Sequence, residues 1–75
     1  MITKQQVKEI MNRHLIVSTG EMVEAFEFVS EMLELLADDT EANEPYAVYS
    51  IERYRNAAYE VWSMGQEMSE LIEED

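Results

Sequence analysis

The acidic side chains in the middle of the chain follow a spacing that predicts one charged side of a helix. Residues 21 to 44 contain nine carboxylates and no lysine, arginine or histidine. Five of the nine are separated by alternating steps of three and four: Glu24, Glu27, Glu31, Glu34 and Asp38. Residues at such steps share a helix face, so the five predict a line of negative charge about 21 Å long. This line is called the acidic ridge below.

The acidic ridge has the chemistry of a surface that binds cations on a protein. Its carboxylates can form charge-assisted hydrogen bonds with the arginine and lysine side chains that otherwise hold phosphates. Adjacent like charges destabilise a helix by a few tenths of a kcal/mol per pair, and a cationic partner is the simplest reason to keep them. We therefore expect a basic, nucleic-acid-binding protein as the partner. Four further residues are predicted to join the contact: Asp39, Glu41, Tyr49 and Arg53.

Two pairs of glutamates suggest an enzymatic alternative. The pairs are Glu24-x-x-Glu27 and Glu41-x-x-Glu44, and paired carboxylates on neighbouring helices can hold Mg²⁺ for pyrophosphate cleavage. The pattern resembles that of the all-α nucleotide pyrophosphohydrolases of the MazG type, which implies magnesium-dependent hydrolysis at these four glutamates. That family usually has aspartate where this chain has Glu44, and no basic residue lies nearby to bind a phosphate.

Other catalytic patterns are missing from the sequence. It contains no cysteine, nucleophile elbow, glycine-rich phosphate loop or zinc motif. Its single histidine, His14, has no cysteine, serine or carboxylate at a diagnostic spacing and is expected to pack at an interface. We therefore expect a protein that is not an enzyme, with no catalytic residue, metal or cofactor.

Composition narrows the functional class further. The 75 residues are 47% hydrophobic and carry a formal net charge of −12, which indicates one folded acidic domain over residues 1–75. Such a charge disfavours direct binding to nucleic acid or to an anionic membrane. The polar N-terminus and the lack of a long apolar run predict a cytoplasmic protein. Phage and mobile-element proteins that disarm host restriction, CRISPR or transcription machinery are often of this size and charge. A DNA-mimic inhibitor, acting in the host cytoplasm if a phage encodes it, is the expected function.

Capping patterns predict where the first two helices begin. Thr3 with Gln6 and Ser18 with Glu21 match capping boxes, in which two side chains satisfy free backbone N–H groups. Apolar residues recur at helical spacing after each box. We therefore predict a first helix over about residues 4–16 and a second from just after Ser18 to about residue 38.

A third helix is predicted after a loop at residues 38–44. Asn43 is expected to cap this helix, and Pro45 is expected in its first turn. Trp62 is expected in the core. Gly65 is the predicted position of a kink or break. The fold class is therefore all-α: a small bundle of three helices, or of four if Gly65 divides the last one.

The third helix also carries a repeat typical of helix association. Apolar and small residues recur along it at steps of four and three, the pattern of a heptad seam. Self-association as a homodimer is expected for so small a chain, through the seam residues Ile51, Tyr54, Ala58, Val61 and Met68. This pattern supports a second functional hypothesis, a helical homo-oligomeric assembly or regulatory subunit in which the acidic residues are passive.

Overall fold

A computed structural model describes the backbone of residues 2–73 and the side chains of residues 2–72. The elements are α1 (Lys4–Arg13), α2 (Thr19–Asn43) and α3 (Val48–Glu73). The predicted all-α class is confirmed. Helix α3 is continuous across Gly65, so the alternative with four helices is wrong.

α1 is held at its start by the predicted capping box. The Thr3 N–H donates to Gln6 Oε1 at 2.9 Å, and the Gln6 N–H donates to Thr3 Oγ1 at 3.2 Å. The helix ends before residue 16 because Leu15 adopts a left-handed backbone with φ of 60°. The Ile16 N–H then donates to the carbonyl of Met11 at 2.8 Å, which closes the end of the helix. His14 at this end is exposed, so its expected interface role is not seen within the chain.

The predicted start of α2 is confirmed, although its capping box is only half formed. Ser18 Oγ accepts from the Glu21 N–H at 3.1 Å. The Glu21 carboxylate accepts instead from the Val17 N–H, at 3.0 Å.

The predicted loop at residues 38–44 is wrong, because α2 continues to Asn43. Polar side chains there bond to their own helix: Thr40 Oγ1 donates to the Leu36 carbonyl at 2.8 Å, and Asn43 Nδ2 donates to the Asp39 carbonyl at 2.9 Å. These local bonds let a polar segment remain helical. Asn43 therefore ends α2 and does not cap α3.

A turn of four residues joins α2 to α3. The Ala47 N–H donates to the Glu44 carbonyl at 2.9 Å, which closes a β-turn with Pro45 in its second position. Proline suits that position because its φ is already fixed near the required value. Pro45 thus precedes α3 and does not lie in its first turn. So short a connection makes α2 and α3 an antiparallel hairpin.

Small residues allow α2 and α3 to approach closely. Ser30 Oγ, which is buried, donates to the Ala58 carbonyl at 2.7 Å. A Cβ placed on Gly65 would lie 2.6 Å from the Cβ of Phe26, so only glycine fits at this crossing. α1 packs over the open end of the hairpin, where Val7 joins Met22 and Ile72 in a buried cluster.

The heptad seam of α3 is largely used inside the chain. Ile51 and Ala58 are only 6% and 1% exposed, so neither can contact a second copy while the hairpin stays closed. Tyr54, Val61 and Met68 are half-buried, and Met68 packs on the cluster around Val7. Within the chain, α2 and α1 therefore already occupy most of the expected dimer seam.

The molecule is elongated and thin. Its principal extents are 47 × 23 × 15 Å and its radius of gyration is 15.1 Å, whereas a compact domain of this length has a radius of gyration of about 11 Å. Over residues 2–73, no helix is both long and apolar enough to cross a bilayer.

Candidate functional site

The acidic ridge forms one exposed side of α2. All five of its carboxylates lie within this helix and are exposed to solvent. Because α2 extends beyond residue 38, Glu41 continues the same spacing by one further step of three. The charged line from Glu24 to Glu41 is therefore about 26 Å long.

One end of this line is neutralised by a cation from α3. The Arg55 guanidinium lies 3.4 Å from Asp38 Oδ1 and 3.2 Å from Glu41 Oε1. Hydrogen bonding and charge attraction from Arg55 lower the pKa of Glu41 below its ordinary value. The same bonds, to Glu41 first and then to Asp38, raise the pKa of Arg55.

The other end of the acidic ridge has no such partner among the described residues. Within residues 2–73, no lysine or arginine forms an ion pair with Glu24, Glu27, Glu31 or Glu34. The ridge thus has a paired end near the hairpin turn and an unpaired length nearer α1. The unpaired length is the part that can accept cations from another molecule.

A shallow groove of about 380 Å³ separates the acidic ridge from α3. Its α2 wall is formed by Glu27, Ser30, Glu31 and Glu34, and its α3 wall by Arg55, Tyr59 and Trp62. We call it the ridge groove. The two aromatic rings have centroids 6.4 Å apart and an interplanar angle of 34°. Tyr59 is 70% exposed and Trp62 is 44% exposed, so both rings are open to a ligand.

The chemistry of the ridge groove favours a cation with a flat or alkyl body. Carboxylates supply acceptors for a guanidinium or an ammonium group on one wall. Exposed tyrosine and tryptophan faces attract the same cations through their ring quadrupoles, by about 0.5–1 kcal/mol at open sites. Arg55 fills the end of the groove near Asp38, which leaves the length beside Glu27 and Glu31 for an external cation.

The structure separates several residues that the sequence predicted together. Asp39 points away from the acidic ridge and lines a cavity with the apolar residues Met32, Leu35 and Leu36. Tyr49 and Arg53 line a different cavity on the outer side of α3. Of the predicted additions, only Glu41 joins the ridge.

Four residues of the ridge groove were not predicted as site residues: Ser30 on α2 and three residues on α3. Arg55, Tyr59 and Trp62 follow the spacing i, i+4, i+7, which places them on one side of α3. Trp62 was expected in the core, and its exposure shows that this was wrong. The spacing itself was the available signal, because a cation and two aromatic rings on one helix face suggest a binding surface.

The four glutamates of the pyrophosphohydrolase-like pattern do not come together. Both pairs lie on α2, with Glu24 and Glu41 about 26 Å apart along one helix. No single Mg²⁺ can be held between the two pairs at that distance, since its ligands lie about 2 Å away. Within the part of the chain that the structure describes, no group of three or more histidine, cysteine or acidic side chains is arranged to hold a metal ion.

Comparison with family models, with curated proteins and with solved structures finds no match to this chain.

Proposed function

We propose that this chain is a small acidic protein that binds a basic nucleic-acid-binding protein and inhibits or modulates it. The observation that carries the proposal is the ridge groove, where unpaired ridge carboxylates face two exposed aromatic rings. A DNA-binding surface presents arginine and lysine side chains selected to hold phosphates. The acidic ridge offers those side chains carboxylates at helical intervals of about 5–6 Å.

The aromatic rings distinguish this surface from an acidic face that only keeps a protein soluble. Charged side chains alone are enough for solubility. An exposed tryptophan beside a tyrosine adds apolar surface, which does not make a monomer more soluble. Tryptophan, tyrosine and arginine are also the residues on which interfaces concentrate their binding energy. The host machinery expected as partner includes restriction, CRISPR or transcription proteins, with the inhibitor encoded by a phage or mobile element.

The experiment that tests this function is competition between the chain and DNA for captured proteins. The immobilised chain is incubated with lysate of the source cell, and duplex DNA is then added at low ionic strength. DNA is expected to displace the specific partner, because both occupy its phosphate-binding cations. A partner that remains bound while it also binds DNA would contradict mimicry.

Matched charge reversals locate the contact. Glu27→Lys with Glu31→Lys alters the ridge groove, and Glu52→Lys with Glu60→Lys makes the same charge change on the outer side of α3. Loss of two charge-assisted contacts of about 1 kcal/mol each lowers affinity about 30-fold. The first variant should show that loss, and the second should bind nearly as the wild type does. Equal effects would mean that only net charge matters.

The second candidate function, a helical assembly subunit, is favoured by a separate observation. Large apolar side chains remain exposed on α2 in a sector next to the acidic ridge. Association through such a surface should change little with salt, whereas binding through the acidic ridge should weaken steeply as ionic strength rises.

A further inference from the structure

Five large apolar side chains on α2 are left uncovered by the rest of the chain. Each exposes between 45% and 63% of its surface: Phe28, Val29, Met32, Leu35 and Leu36. Together they expose on the order of 500 Å² of largely apolar surface, near the upper end of what soluble monomers leave in one patch. We call these residues the α2 apolar patch.

Helical geometry places this patch and the acidic ridge in neighbouring sectors of α2 that face different flanks of the hairpin. Phe28 and Leu35, each four residues after a ridge glutamate, lie at the border between the two sectors. Leu36 follows Glu27 by nine residues, which at about 3.6 residues per turn is two and a half turns, so the two point in opposite directions. The same interval separates Arg55, beside the ridge, from Met64 on α3. Met64 is 50% exposed and therefore extends the apolar side onto α3.

The single chain lacks the second layer that this apolar side requires. Over residues 2–72, six hydrophobic residues are buried, and no large side chain is fully enclosed. The molecule is only 15 Å thick in its shortest dimension. α1 covers the open end of the hairpin at Met22 and Ile72 and leaves the rest of the apolar side bare. Stable folds pack at least two layers of secondary structure around a core.

We propose that a second copy of this chain covers the α2 apolar patch, so that two hairpins form a four-helix bundle. A hairpin of two long helices is half of such a bundle. The α2 apolar patch and the flank around Met64 together approach the surface of about 800 Å² per partner that a standard interface buries. This inference is independent of the function proposed for the acidic ridge.

The patch is self-complementary, which favours a copy of the same chain over an unrelated partner. Met32 lies midway between Phe28 and Leu36, with four residues on each side. An antiparallel two-fold crossing at Met32 therefore packs Phe28 of one copy against Leu36 of the other. Asp39, which borders the patch cavity, then lies opposite Ala25 of the second copy and not opposite another carboxylate.

The same arrangement limits repulsion between two acidic chains. Each copy carries a formal charge of −12, so a dimer that brought the ridges together would be strongly disfavoured. Contact through the α2 apolar patch leaves both acidic ridges and both ridge grooves on the outer sides of the bundle. The dimer can then present two equivalent binding surfaces.

Sedimentation equilibrium tests the oligomeric state. The wild type should have twice the chain mass of 8.8 kDa, with a melting temperature that rises with protein concentration. Met32→Lys should give a monomer, whereas Tyr49→Lys, on the outer side of α3, should remain a dimer. A monomeric wild type at about 100 µM, far above the Kd of a stable interface, would overturn the proposal and assign the patch to a different protein.

Cysteine cross-linking tests the same contact without requiring that a monomeric variant fold. The chain has no native cysteine, so Met32→Cys introduces a single thiol at the proposed two-fold axis. Mild oxidation should convert most of this variant to a covalent dimer, at a rate at least tenfold above that of Tyr49→Cys. Equal rates for the two variants would show that Met32 does not face its counterpart, and would overturn the proposal.

Discussion

Arg55 divides the carboxylates of α2 into a paired and an unpaired group. Its guanidinium contacts Asp38 and Glu41, both in the last two turns of the helix. Glu31 and Glu27, about two and three turns before Asp38, face aromatic rings instead. Arg55 therefore determines which carboxylates of the acidic ridge remain available to a partner.

The Arg55 ion pair predicts a difference in acid sensitivity between two arginine variants. The pKa of Glu41 is lowered in the folded state, so the pair stabilises the protein above the ordinary pKa of glutamate. That contribution is lost as pH falls through the lowered pKa. Arg55→Met should therefore be less stable than the wild type near neutral pH, and the difference should shrink as the pH falls below the ordinary pKa of glutamate. Urea unfolding across this pH range measures it.

Arg53→Met is the matched control for that comparison. It removes the same charge from the outer side of α3, away from Asp38 and Glu41. Both groups of the Arg55 pair are solvent-exposed, so the effect is small, as it is for most surface ion pairs. Equal loss of stability in the two variants near neutral pH would show that the pair contributes only through net charge.

Individual side chains were predicted from the sequence only where their own helix determined their exposure. The acidic ridge was predicted because spacing alone sets which carboxylates share a face of α2. Arg55, Tyr59 and Trp62 were missed because their role depends on which side of α3 faces the ridge. Periodicity predicts the seam that contains Ala58, but the sequence does not show that α2 covers this seam in place of a second copy of the chain.

At the scale of helices, the fit between α2 and α3 depends on small side chains. Ser30 bonds directly to the Ala58 carbonyl, and Phe26 lies against the bare Cα of Gly65. Close approach at these positions leaves larger residues such as Trp62 on the edges of the interface. The same small residues thus produce both the narrow hairpin and the exposed aromatic wall of the ridge groove.

The two glycines predict opposite outcomes for the same substitution. Gly65→Ala places a Cβ 2.6 Å from the Cβ of Phe26, so α2 must shift, and the free energy of unfolding should fall by about 1–3 kcal/mol. Gly20→Ala in the first turn of α2 meets only Ser18 Oγ, at 3.8 Å. It should raise the free energy of unfolding by about 0.5–1 kcal/mol, through reduced chain entropy.

Chemical denaturation of the two alanine variants separates packing from helix propensity. Alanine favours a helix over glycine by about 1 kcal/mol at either position. A stabilised Gly65→Ala variant would mean that α2 and α3 adjust to the added methyl without loss, and that the close approach is not required.

Helix starts were predicted better than helix ends, for a physical reason. A start is specified locally by a capping side chain and the N–H groups it satisfies, as Thr3 and Ser18 show. The sequence predicts the end of α2 five residues too early, because a polar composition is typical of a loop. Thr40 and Asn43 bond back to their own helix, and α2 ends only where Pro45 approaches.

At the scale of the whole molecule, charge and apolar surface occupy separate sectors of one thin hairpin. The first 17 residues carry a formal charge of +2 and the remaining residues carry −14. The acidic ridge and the α2 apolar patch occupy neighbouring sectors of α2, and the sectors face different flanks of the hairpin. A hairpin with this division can bind a cationic partner on one side while it packs against a second copy on the other.

This division predicts that salt stabilises the free protein and weakens its complex. The acidic ridge contains four adjacent like-charged pairs, each costing a few tenths of a kcal/mol, so screening recovers about 1 kcal/mol. Raising ionic strength from about 10 mM to about 200 mM should therefore increase the melting temperature by about 4–8 °C. Partner affinity should fall over the same range, because salt also screens the contacts between the ridge and the partner's cations.

The variant Glu27→Gln with Glu31→Gln and Glu34→Gln should flatten both trends. If the three glutamines flatten only the salt dependence of the melting temperature, the ridge affects stability but takes no part in binding. If they also flatten the salt dependence of partner affinity, the same carboxylates cause both effects.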